Sequence, residues 1–268
     1  MFSRLGRNVI ALGAVSLLTD LSTEMIYPLL PIFLTTTLAA PAAMLGLIEG
    51  VAESAAGVLK FLSGWWSDRS ARRKPLIIVG YGLASLVRPL IAFAQAASHV
   101  LAIRFFDRVG KGIRTSPRDA LIADSVSIDA RGLAYGFHRA ADHAGAVAGP
   151  LLAFALLAWA GLQMRTVFLL AAIPGALAVL VLVLAVREPR SQVVPDEGRD
   201  APGTTLASKV HPGPFAAMRG LGAHFWRLMA VIFLFTLGAS TDAFLLLRAS
   251  DLGVPVAALP VLWAMHHV

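Results

Sequence analysis

The 268-residue chain has no cysteine and few charges, with Asp, Glu, Lys and Arg making up only 15% of it. Without thiols it can form neither disulfides nor cysteine-based metal sites, and its composition carries no sign of a redox compartment. Against this scarcity, 57% of the residues are hydrophobic and the mean hydropathy is +0.73. That lies outside the range of ordinary soluble domains and is the composition of an integral membrane protein. A formal net charge of +7 would suit a nucleic-acid binder, but the basic residues are spaced between apolar segments rather than gathered on a polar domain. The expected surroundings are a lipid bilayer, with no nucleic-acid partner.

Apolar segments run over about 8–35, 43–66, 76–96, 99–123, 133–158, 164–187 and 223–249, each near the ~20 residues a spanning helix needs. An eighth begins near Pro255 and is cut off at Val268. The Arg4 and Arg7 flank resembles that of a signal peptide, but no small-residue cleavage site follows, so the first helix reads as retained. Arg4, Arg7, the Arg69/Arg72/Arg73/Lys74 cluster, Arg131, Arg187 and Arg190 fall in alternate loops. Lys and Arg near helix ends favour the cytoplasmic side, which puts the N-terminus there and the protein in the inner (cytoplasmic) membrane. Residues 188–222, rich in Pro, Gly and polar side chains, read as a cytoplasmic linker between a six-helix bundle (1–187) and the start of a second, incomplete bundle (223–268).

"LLTDLSTEM" in the first helix has an echo in "GASTDAFLL" of the seventh, where Thr241-Asp242 answers Thr19-Asp20. Parallel repeats of this kind occur in secondary transporters. The stretch "GWWSDRSARRKP" places Gly64, Asp68, Arg69, Arg72 and Arg73 in the turn between the second and third helices. Gly136, Gly145, Gly149 and Pro150 follow in the fifth helix, and Arg104 opens "RFFDRVGKG" in the fourth. These motifs resemble those of the major facilitator superfamily. The resemblance covers the whole chain, with Ala71 where the loop pattern has Gly, Ala153 and Phe154 in place of the final glycines of the fifth-helix motif, and Asp107 and Arg108 where Gln and Gly are usual. It implies an all-α, polytopic bundle of major facilitator type, truncated within the eighth helix. It further implies a loop at 64–73 that gates the cavity, a central cavity lined by helices one, four and seven, and, from the fifth-helix pattern, export.

Charge at membrane depth is the other informative feature, since an Asp, Lys or Arg at a helix centre costs roughly 2.5–3.5 kcal/mol on insertion scales. Arg104, Asp107, Arg108, Lys111, Arg114, Arg118 and Asp119 fall within an arc of about 140° on the fourth helix. Such an arc must line a hydrated cavity or pair internally. Candidate partners are Asp20 and Glu24 on the first helix, Glu49 and Glu53 on the second, and Asp142 on the fifth beside His138. With Arg88 and Asp242 these form the expected cavity and proton-coupling set. Gly46, Gly57 and Gly64 make a line on the second helix that permits close approach.

The function expected is a secondary active transporter moving a small-molecule substrate by alternating access, with proton-coupled export. The alternatives are a half-size or truncated membrane scaffold and a proton-coupled uptake symporter. "RVGKGIRTS" lacks the spacing of a phosphate-binding loop, and no nucleophile elbow or zinc spacing accompanies the Ser and His residues, so neither an enzyme nor a metal or other cofactor is expected. The full-length protein is expected to be a monomer.

Overall fold

The computed structural model describes residues 5–69, 72–188, 221–238 and 241–268. All regular structure among them is helical: α1 (Arg7–Thr37), α2 (Ala42–Ser67), α3 (Lys74–Phe93), α4 (Ala97–Asp124), α5 (Arg131–Ala158), α6 (Met164–Ala185), α7 (Ala223–Gly238), α8 (Ala243–Asp251) and α9 (Leu259–His266). In a bilayer every backbone N–H and C=O must find its partner inside the segment, which an apolar helix does on its own.

The first six elements start and stop where local chemistry dictates. Pro41 stands at the N-cap of α2 in an extended conformation, and Pro75 occupies the first turn of α3, where a missing N–H costs nothing. The N-terminus of α3 is closed by a carboxylate from beyond α6, because the backbone N–H groups of Arg73 and Lys74 donate to Glu188 at 2.6 and 3.0 Å. Helix α1 is α-helical to Ile26, passes through a 3₁₀ turn at Tyr27–Leu29 and ends in a π turn at Phe33–Thr37. Pro28 and Pro31 lie in that stretch and remove two backbone donors.

Among the described residues, five helices (α1, α2, α3, α5 and α6) are long and apolar enough to cross a membrane by composition. Of the first six helices the charged α4 is the exception, and it packs mainly on α2 and α3. Helix α1 packs along α5 and α6, and α3 along α6. Two glycine pairs bring backbones into contact. A Cβ added at Gly80 of α3 would stand 2.6 Å from the carbonyl oxygen of Gly110 on α4, so these backbones touch. A Cβ at Gly149 of α5 would stand 2.7 Å from the carbonyl oxygen of Leu21 on α1, and one at Gly145 would run into the carbonyl oxygen of Leu17. Small residues at such crossings allow the close approach on which helix association in membranes depends.

The described residues divide into two compact units. One holds the first six helices together with residues 241–268, in which α8 and α9 pack against α1 and α5. The other contains α7, a helix with most of its apolar side chains exposed. The seventh apolar segment, expected to be one helix over 223–249, is therefore two helices. Thr241 and Asp242 precede the first residue of α8, their carbonyls accept from the Phe244 and Leu245 N–H groups at 3.1 and 3.0 Å, and the Thr241 hydroxyl takes a hydrogen bond from the Ala243 backbone N–H at 3.4 Å. Ser, Thr and Asp offer the backbone such local alternatives to the helical ladder. The expected linker lies almost wholly outside the described residues.

Candidate functional site

The centre of the first unit is an ionic network on helices whose surroundings are otherwise apolar. Arg104 on α4 reaches across to Glu49 on α2, with Nη2 at 2.7 and 2.8 Å from the two carboxylate oxygens and Nε at 3.0 Å from Oε1. One turn along, Asp107 accepts from Arg88 of α3 at 2.8 Å and lies 3.5 Å from Nη1 of Arg104. Arg88 in turn donates to the Ser22 hydroxyl of α1 at 3.0 Å, and that hydroxyl donates to the Ala171 carbonyl of α6 at 2.7 Å. The four charged side chains are 4–6% exposed. Two guanidinium groups face two carboxylates, so the network is neutral as a whole and each charge is hydrogen-bonded, the condition under which buried ions are tolerated.

Two further groups flank it. Arg108 pairs with Glu53 of α2 at 2.9 Å, at an edge where Glu53 is exposed. On the other side, Ser16 of α1 donates a short hydrogen bond to Asp142 of α5, which also meets Arg139 at 3.4 Å and Nε2 of the buried His138 at 3.8 Å. The acids on α2 thus meet bases on α4, whereas Asp142 is held by α1 and its own helix. Asp20 has no ion pair or side-chain hydrogen bond among the described residues, and Lys111 is exposed.

Glu24 is engaged from the C-terminal side. Trp263 of α9 donates its indole N–H to Glu24 at 2.7 Å, and His267 lies 3.8 Å away. The Trp263 ring packs on Tyr27 at 5.0 Å between centroids, Tyr27 lies 5.2 Å beneath the Arg104 guanidinium, and its hydroxyl is 3.5 Å from that of Thr241. Asp242 sits 3.5 Å from His266 and is not part of the central network.

In the loop after α2, Asp68 is exposed and stands at the C-terminus of the helix, where its backbone N–H bonds the Gly64 carbonyl at 3.0 Å. Arg69 folds back over the Trp65 ring at 4.1 Å, Arg72 is exposed, and Arg73 pairs with Asp124 at the end of α4. On α5, Gly145, Gly149 and Pro150 are buried against α1, while a Cβ at Gly136 would meet nothing within 4 Å. On α2, Gly46 faces the Phe244 ring and Gly64 faces Ser116, but Gly57 opens onto no neighbour. A groove of about 700 Å³ lined by Gly46, Gly50, Val58, Leu59 and Phe105 runs along this face.

Sequence reasoning passed over Tyr81, whose ring carries the Arg114 guanidinium at 4.2 Å, and Trp263, the partner of Glu24. It also passed over Gly80 and Gly110; their small size within charged or apolar runs was the available signal. Among the described residues no group of three His, Asp or Glu could hold a metal ion.

Helices long and apolar enough to span a membrane, packed around a buried, neutral ionic network, make a polytopic membrane bundle. The Major Facilitator Superfamily model matches residues 12–266, and the chain belongs to that superfamily. It is 34% identical over 185 residues to an uncharacterised MFS-type transporter of Methanocaldococcus jannaschii, covering 69% of this chain and 46% of that protein. It is 33% identical over 264 residues to an uncharacterised protein of Mycobacterium tuberculosis, covering 96% of this chain and 61% of the other. Its fold is similar to that of a bacterial homologue of the human lysosomal transporter Spinster, with a TM-score of 0.70 at 22% identity over 97% of this chain and 58% of that one. The human organic anion transporter MFSD10 aligns with a TM-score of 0.54 at 22% identity, over 68% of this chain and 47% of its own. The chain therefore spans about half to three fifths of the length of the relatives it matches.

Proposed function

We propose that these residues form part of a secondary active transporter that carries a small solute across the membrane by alternating access, coupled to protons and working in the direction of export. The observation that carries this reading is the Arg88–Asp107–Arg104–Glu49 network, a set of buried charges on three helices. Charged groups at membrane depth are costly and mark solute or proton pathways. The carboxylates available for coupling are Asp20, Glu24, Glu49, Glu53 and Asp142. Asp20 is favoured, because it has no ion pair or side-chain hydrogen bond among the described residues, whereas Glu49 is clamped by Arg104 through three hydrogen bonds and Asp142 is held by Ser16 and Arg139. The Gly145/Gly149 seam supports export through the resemblance of its motif and closes α5 on α1 tightly enough to hinder proton leak beside it. The Arg73–Asp124 pair ties the loop after α2 to the end of α4, the kind of contact a cytoplasmic gate makes. The same reading sets the N-terminus in the cytoplasm.

The test uses the protein encoded by the whole reading frame that contains these residues, reconstituted in vesicles. A panel of drug-like, organic-acid, sugar and peptide solutes is followed under pH gradients of either sign. Gradient-driven efflux that a protonophore abolishes is the expected result. Uptake down an inward proton gradient would replace export with symport. A folded protein that moves no solute under either gradient would overturn the carrier reading in favour of a scaffold.

A further inference from the structure

His138 is buried beside the α1–α5 seam with its polar atoms unmatched. It is 1% exposed, and neither ring nitrogen makes a hydrogen bond among the described residues. A neutral imidazole carries one N–H donor, and a buried donor left without an acceptor costs free energy. One acceptor stands close: Asp142, a turn further along α5, has its Oδ1 3.8 Å from Nε2. That is ion-pair range but beyond hydrogen-bonding distance. The same oxygen is occupied from the other side, because the Ser16 hydroxyl of α1 donates to it. Asp142 therefore stands between two donors, one on α1 and one on its own helix.

Both sides of the contact can change partner without a hydrogen bond being lost. On α1 the Thr19 and Thr23 hydroxyls donate to carbonyls four residues back, at 2.7 and 2.9 Å, and the Leu12 carbonyl offers Ser16 the same local acceptor. Asp142, once released by Ser16, has the His138 ring. Its contact with Arg139 at 3.4 Å reaches a side chain that is 65% exposed and holds it weakly. The remaining titratable and charged groups around the pair offer the ring no acceptor. On α4, Arg118 is engaged with Asp119, and Arg114 rests on Tyr81. On α1, Glu24 takes the Trp263 N–H of α9 and has His267 beside it, while Asp20 lies a turn further along, at Gly145. His266 of α9 faces Asp242, His143 of α5 is exposed, Tyr135 of α5 donates to the Asp119 carbonyl, and the single charge of α6, Arg165, is bound to the Ala92 and Ala94 carbonyls.

We propose that His138 and Asp142 form a proton-holding pair that competes with Ser16 for the carboxylate: when the ring takes up a proton, Asp142 turns to Nε2 and the tie from α1 to α5 is released. The proton enters through Asp142, whose side chain is 15% exposed and connects the ring to water. The released tie lies just before the place where the two backbones touch, at Gly145 and the Leu17 carbonyl, so the protonation state of α5 bears on how firmly α1 is seated. His138 is a positioning residue for Asp142, and its role adds to that of Asp20. The inference rests on the carrier reading above.

The test follows the histidine magnetic resonances of the full reading-frame protein in lipid nanodiscs as pH is varied, which needs no substrate. His138 is identified by the signal lost in His138→Gln or, if that variant does not accumulate, in His138→Phe. Ser16→Ala leaves the carboxylate to the ring and is expected to raise its proton affinity at least about threefold, moving the titration midpoint up by about half a pH unit. Asp142→Asn is expected to move it down by as much. In vesicles, one limb of the pH–flux profile is expected to follow the same midpoints. A His138 midpoint that is equal in wild type, Ser16→Ala and Asp142→Asn, as a ring with a packing role alone would give, overturns the pair. A flux limb that ignores the shifted midpoints overturns its part in coupling. Shifted midpoints in a protein that moves no solute leave the pair standing and sink the carrier reading instead.

Discussion

Arg104 and Glu49 form a fork on a carboxylate, with Nη2 within 2.8 Å of both oxygens and Nε 3.0 Å from one. The planar guanidinium suits that geometry and an ammonium does not. Since Nη1 of the same group also approaches Asp107, one side chain joins α2, α4 and, through Asp107, Arg88 of α3.

Glu49→Gln should therefore destabilise the protein by about 3–5 kcal/mol, the loss expected when one partner of a buried ion pair is removed. Arg104→Lys keeps the charge but loses the fork and is expected to fall between the two. Pairing Glu49→Gln with Arg104→Gln should recover part of the loss. Melting temperatures of the purified variants check the order.

At the α1–α5 seam, Gly149→Ala is expected to cost about 1–3 kcal/mol, because the new methyl would meet the Leu21 carbonyl and the Glu24 Cβ. Gly136→Ala, with open space around it, should be neutral or slightly stabilising, since Ala is the better helix former. Equal shifts in a melting comparison would show that the seam is looser than described.

Glu188→Ala should remove the carboxylate that closes the N-terminus of α3, at about 0.5–2 kcal/mol, the range for a lost cap. Glu188→Gln keeps an acceptor oxygen and should lose less. Amide hydrogen exchange at Arg73 and Lys74 is the direct measure, with faster exchange expected in the alanine variant.

Trp263→Phe keeps an aromatic ring against Tyr27 but removes the N–H that Glu24 accepts. A loss of about 1–3 kcal/mol is expected from leaving the acid with its nearest donor gone. Trp263→Phe/Glu24→Gln should lose less than the sum of the single changes.

The six leading spans were legible because a spanning helix writes its length directly into the apolar run, and the ends observed lie within a few residues of those read from the sequence. The fork from Arg104 to Glu49 was legible only as a class: the 3.6-residue period puts the α4 charges on one arc, but periodicity on single helices does not say which acid faces which base. That depends on crossing geometry, which between α2 and α4 is set at Gly112, where an added Cβ would stand 2.6 Å from the Leu59 Cβ. For the same reason Arg114 looked equivalent to its neighbours on the wheel. The break after α7 was missed because hydropathy registers the apolar flanks and not the competition that Thr241 and Asp242 offer the backbone.

The winding of α1 has a mechanical meaning. A π turn holds roughly one residue more than the α turn it replaces, so side chains beyond it are rotated by about 100° relative to those before. The Ser16–Asp20–Glu24 stripe cannot be extrapolated through Phe33–Thr37. Because that turn closes α1, rewinding it would shift only the connection to α2, by about 1.5 Å. The bonds that α1 makes to Asp142, Trp263 and Ala171 all lie before that turn and would be left in place.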